Sequence, residues 1–122
     1  MSRIESLNRA LRSLQSGTPE IEASAVVSED GLIIASALTQ GLEDSRIAAM
    51  SATLLSLGAR SATELQRGSL EQVFVKGESG YVILTNAGPH AVLLAVARKE
   101  AKLGLIFFEM KRAGDEISTV LS

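Results

Sequence analysis

Between Asp44 and Arg67 the chain carries apolar residues on two faces of one helix, whereas a helix that serves a single core needs only one. Steps of about 100° per residue place Ile47, Met50, Leu54, Leu57 and Leu65 on a bulky stripe suited to a sheet. About 130° away by the same arithmetic lies a second stripe, Ala48, Ala52, Leu55, Ala59 and Ala62, almost all small. The remaining face holds Arg46, Ala49, Thr53, Ser56, Arg60, Thr63, Glu64 and Arg67, a solvated or partner-contacting surface. Alanine is the best helix former and is common on exposed helices. Small side chains also let two helices approach closely, and the pattern predicts packing on the same helix of a two-fold-related copy, with Leu55 as the central contact. Asp44 or Ser45 is the expected N-cap and Gly68 the expected C-terminal break.

The flanking segments supply a sheet and two further helices. Ile4, Leu7, Leu11 and Leu14 recur at helical spacing before Gly17 and Pro19. Ala23 to Ser28 and Leu32 to Ala37 read as a β-hairpin turning at Glu29-Asp30-Gly31. Their nearly continuous apolar character predicts cover on both faces, by helices on one side and another chain on the other. After Gly68 the period switches to two, giving strands over Leu70–Lys76 and Tyr81–Asn86 around a Gly77–Gly80 turn. His90 to Ala97 is apolar enough for a central strand. A third helix carries Leu103, Ile106, Phe107, Met110 and Ile117 on one stripe, and its Gly104 and Gly114 point to close packing or a break near Gly114. The order predicts one domain over residues 1–122, of α+β class, with a five-stranded antiparallel sheet sandwiched by helices (α-β-β-α-β-β-β-α).

Composition narrows the chemistry. With no cysteine and one histidine among 122 residues, cysteine nucleophiles, iron–sulfur clusters and Cys- or His-rich metal centres lack ligands, so no cofactor or metal is expected. A net charge of −2 and four aromatic residues argue against a nucleic-acid surface. The uncharged helical stretch Ile47 to Ala59 is 13 residues and falls short of a membrane span. The N-terminal apolar residues are spaced rather than continuous, which predicts no secretory leader and a cytoplasmic location.

Catalytic motifs are not found. Gly77-Glu78-Ser79-Gly80 lacks the spacing and lysine of a phosphate-binding loop, and no Gly-x-Gly-x-x-Gly follows the first strand. His90 follows Pro89 at a strand start, and nothing in the sequence nominates a carboxylate or nucleophile to accompany it. The chain is therefore expected not to be an enzyme.

In this order of elements the chain resembles the Roadblock family, also called the dynein light chain 7 family, over nearly its whole length. The resemblance is carried by Val26-Val27-Ser28-Glu29-Asp30-Gly31-Leu32-Ile33-Ile34-Ala35, the Ala-rich helix through Leu65, the Gly80-Tyr81 hairpin, and Leu103-Gly104-Leu105-Ile106-Phe107-Phe108-Glu109-Met110-Lys111-Arg112. The third helix makes it similar to the bacterial and archaeal, MglB-like members. The resemblance implies a profilin-like fold and a homodimer joined by the third strands and long second helices. It places the strand contact at Leu70 to Lys76, including Leu70, Gln72, Val73, Phe74 and Val75, and the helix contact at Ala48, Ala52, Leu55, Ala59 and Ala62. It further implies a small Ras-like GTPase as partner, met by Arg46, Arg60, Glu64 and Arg67, in a regulatory or scaffolding role.

Two other readings compete with a GTPase adaptor. A small-molecule sensor would need a roomy pocket with convergent polar groups, which the low aromatic content and dense Ala, Leu and Val disfavour. A purely structural dimerisation module needs nothing more than the interface.

Overall fold

The computed structural model describes residues 2–122. Ser2 opens the first helix, α1 (Arg3–Gly17), with a capping box: its hydroxyl accepts from the Glu5 N–H at 3.1 Å while the Glu5 carboxylate accepts from the Ser2 N–H at 3.4 Å. There follow β1 (Ile21–Ser28), β2 (Ile33–Ala37), α2 (Asp44–Glu64), β3 (Gln72–Gly77), β4 (Gly80–Asn86), β5 (Ala91–Arg98) and α3 (Leu103–Leu121). The order α-β-β-α-β-β-β-α is the one expected from the sequence. The first strand begins two residues before the expected Ala23, and Leu32 belongs to the hairpin turn rather than to β2.

All strand pairs are antiparallel, in the spatial order β2-β1-β5-β4-β3. Alternation along each strand then divides the core in two. On one face Val26, Ile83, Leu93 and Ala95 meet Leu7, Leu11 and Leu14 of α1 and Ile106, Met110 and Ile117 of α3. On the other, Ala25, Val27, Leu84, Val92 and Leu94 meet Ile47 and Ala48 of α2. The expectation that another chain covers one face of the hairpin is corrected: the chain's own helices lie on both. That is why β1 and β5, central and buried on each side, read as nearly continuous apolar runs.

Gly114 answers the question its low helix propensity raised. It is buried in α3, and a Cβ there would lie 2.6 Å from the Asn86 carbonyl oxygen. The helix passes so close to the end of β4 that only hydrogen fits. Gly104 has open space around it and marks no such contact.

The end of α2 differs from the sequence expectation. Neither Asp44 nor Ser45 caps it: Glu43 occupies the N-cap with no side-chain hydrogen bond, and the Asp44 carboxylate instead accepts from the Ser36 hydroxyl at 3.2 Å. At the other end the helix stops at Glu64, before Gly68, because Gln66 takes φ +58°. Gln66 N–H donates to Thr63 O at 3.1 Å and Arg67 N–H to Ala62 O at 2.7 Å, the paired bonds of a Schellman motif. A glutamine holds the left-handed position that glycine fills at lower cost. Gln66→Gly is expected to stabilise the protein by about 0.5–1 kcal/mol, raising Tm by about 2–5 °C in a thermal melt; an unchanged or lower Tm would count against strain at this position.

Candidate functional surface

The two layers are closed unequally. The core face under α1 and α3 holds the larger buried cluster, whereas only Ile47, Ala48 and Ser51 of the 21-residue α2 are buried. Leu54, Leu55, Val73, Val82 and Val96 remain only partly covered on that side of the sheet. The helix crosses the sheet obliquely. Its first residue bonds to Ser36 in β2, Ala52 packs on Gly31 of the hairpin turn, and Gly58 lies over Val73 and Leu70, where a Cβ would come within 2.8 Å of the Val73 side chain.

The buried line of α2 falls between the two apolar stripes read from the sequence, so each stripe is half used. The assignment of Met50, Leu57 and Leu65 to the sheet-facing side is corrected: Met50 is 42% exposed, Leu57 60% and Leu65 69%. Leu65 lies past the helix end, and the other two have rotated beyond the sheet contact by nearly a quarter turn. Of the small stripe, Ala48 is 1% exposed and packs into the chain's own core, which removes it from any outward contact. Ala52, Leu55 and Ala62 are half-buried and Ala59 is exposed.

Beside α2, β3 forms an edge of the sheet, bonded to β4 alone. Exposed, Phe74 and Val75 point to opposite faces of this edge. Phe74 stacks on Tyr81 at 5.5 Å between ring centres and meets Phe107 of α3 edge-on at 5.8 Å. Gln72 is exposed, and Leu70 and Val73 are partly covered by α2. An apolar edge strand with free N–H and C=O groups is a template for pairing with a second strand.

The four charged residues singled out in the sequence do not form one cluster. Arg60 and Glu64 make an exposed i,i+4 ion pair at 3.3 Å, of a kind that contributes little to stability. Arg46 lies in the first turn, roughly 21 Å along the helix axis from Arg60 by the 1.5 Å rise per residue. Arg67 is off the helix, and its Nε–H donates to Leu65 O at 3.1 Å. Arg46, Met50, Thr53, Leu57, Arg60 and Glu64 do share one outward stripe, apolar in its middle and charged at its ends, with a shallow groove along Thr53, Ser56, Leu57 and Arg60. Met50 and Leu57 are the functional candidates that stripe arithmetic misplaced.

His90 also has the partner that the sequence could not name. Its Nδ1 sits 3.0 Å from Glu29 Oε1, at the surface, across 61 residues of chain. No helix among the described residues is long and apolar enough to cross a membrane.

Comparison with known proteins agrees with this architecture. An uncharacterised protein of Methanocaldococcus jannaschii is 36% identical over 103 residues, covering 84% of this chain and 90% of the relative. Among solved structures, Myxococcus xanthus MglB superposes with a TM-score of 0.89 at 21% identity, over 97% of this chain and 89% of MglB. Profilin II of Acanthamoeba castellanii gives 0.67 at 16% identity, over 93% and 97%. The family model of the Roadblock/LC7 domain matches residues 7–97, from α1 to the end of β5, and the chain belongs to that family.

Proposed function

We propose that this protein is a cytoplasmic, homodimeric adaptor that binds a small Ras-like GTPase and regulates or scaffolds it without catalysing a reaction of its own. The observation that carries the reading is the half-closed α2–β3 layer, where Met50, Leu57, Phe74 and Val75 stay exposed beside an unpaired strand edge. Two flanks of α2 serve two partners. The flank nearer the small stripe, with Ala52, Leu55, Ala59 and Ala62, joins the β3 edge at Leu70, Gln72, Val73, Phe74 and Val75 to receive a second copy. The outward stripe of Arg46, Met50, Leu57, Arg60 and Glu64 receives the GTPase, with apolar side chains at the centre and charges at the rim, the usual anatomy of an interface. Arg67, tied to the chain's own Leu65 carbonyl, is a peripheral contact.

The test is capture of partners from native-source lysate by the immobilised protein, with a non-hydrolysable GTP analogue or GDP present, read by mass spectrometry. Enrichment of a Ras-like GTPase in one nucleotide state is expected and identifies the state that is read. Equal capture in both states would favour a scaffold over a regulator, and absence of any GTPase from both would remove the proposal.

A further inference from the structure

Outside the residues of the α2–β3 surface, a cavity of about 420 Å3 opens between the β1–β2 hairpin, the β4–β5 turn and the last turns of α3. Its walls are mostly apolar, formed by Ile34, Ala87, Pro89, Ala91 and Leu121. This volume is in the range of small-molecule sites, which pair an apolar body with a few placed polar groups. Of the serines in the lining, Ser28 Oγ accepts from Leu32 N–H at 3.1 Å and Ser122 Oγ donates to Thr119 O at 3.0 Å, while the Ser118 hydroxyl is a further polar group of the wall. His90 is different. Glu29 holds it twice, through its ring Nδ1 at 3.0 Å and through a backbone bond from Glu29 N–H to His90 O at 3.0 Å. A carboxylate oxygen accepts, so with Nδ1 donating to Glu29 the nitrogen of a neutral ring left to accept from a ligand is Nε2, on a residue that lines the cavity.

We infer that this cavity binds a small, largely apolar molecule bearing one hydrogen-bond donor, such as a hydroxyl group, whose donor is received by His90 Nε2. The donor fixes the ligand's orientation while Ala87, Ala91 and Leu121 exclude water from its body. Glu29 is a positioning residue, setting the tautomer and the ring plane. The inference does not depend on the GTPase reading, because the two surfaces share no residue.

The probes are phenol and toluene, titrated in parallel into the 15N-labelled protein and followed by amide chemical shifts. Phenol is expected to give saturating shifts centred on Ala87, Ala91, Ser118 and Leu121, and to bind about 2–10-fold more tightly than toluene, the worth of one hydrogen bond. His90→Ala, at a largely exposed side chain that the fold does not need, should erase the preference while leaving toluene binding in place. Ser118→Leu fills the cavity and should weaken both probes at least tenfold. Non-saturating or scattered shifts, equal affinity for the two probes, or a phenol preference that survives His90→Ala would each overturn the assignment. Should Ser118→Leu fail to fold, the wild-type and His90→Ala titrations decide it alone.

Discussion

Gly80→Ala is expected to destabilise the protein by about 3–5 kcal/mol, a large part of the 5–15 kcal/mol that holds an ordinary domain folded. Two independent effects add at this residue. Its φ of +150° is one that L side chains rarely adopt, and such strain costs of order 1–3 kcal/mol. A Cβ would also fall inside the van der Waals radius of the Ala97 carbonyl oxygen, on the neighbouring strand β5. That oxygen belongs to the backbone of a central strand, so it cannot turn away as a side-chain tip would. Relief requires moving β4 from β5, which breaks the ladder where Gly80 pairs with Arg98 and Tyr81 with Ala97. Denaturant unfolding of the variant should show a sharply lower midpoint with an unchanged slope. A loss under 1 kcal/mol would mean that the hairpin end relaxes freely and that the close approach is not structural.

Val75→Lys is expected to halve the solution mass while leaving the fold intact. Val75 is 40% exposed on the edge strand, so a lysine there stays in water in the separated chain. In an isologous dimer the same residue comes from both copies, and charged groups close to the two-fold would have to be desolvated against each other. Lysine on an edge strand is also the common natural device against strand pairing. Leu57→Glu supplies the contrast, since Leu57 lies on the outward stripe of α2: its dimer mass should persist while GTPase capture falls at least tenfold. Sedimentation equilibrium with far-UV circular dichroism checks the mass and fold of both variants, and the lysate capture with mass spectrometry checks GTPase binding. A Val75→Lys variant that keeps the dimer mass would refute the strand-edge interface, and a monomeric Leu57→Glu would mean that the two flanks of α2 are not separate surfaces.

Much of this layout was legible in the linear pattern. Helical spacing of Leu7, Leu11 and Leu14, the period of two after Gly68 and the punctuation at Gly31 and Gly88 are local signals, and local hydrogen bonding obeys them. The excess of apolar surface on the second helix was legible too, because counting stripes requires no partner. Its allocation was not. Two stripes about 130° apart are both consistent with a sheet contact, and only the oblique crossing from Ser36 to Val73 turns Ile47, Ala48 and Ser51 inward and leaves Met50 and Leu57 outside. The helix end was misjudged for a related reason: Gln66 adopts a conformation that its residue type disfavours, held by bonds to Ala62 and Thr63, so Gly68 came too late to mark the stop.

The sequence by itself determined the elements, their order and the presence of more apolar surface than one core uses, since each follows from the period of side chains along a few turns or a short strand. Tertiary structure alone decided which residues that surplus consists of, and brought Glu29 to His90 and Asn86 against Gly114. Those pairings depend on the angle at which a helix crosses a sheet and on which strand ends meet, and both are set by packing between segments that carry no local record of each other.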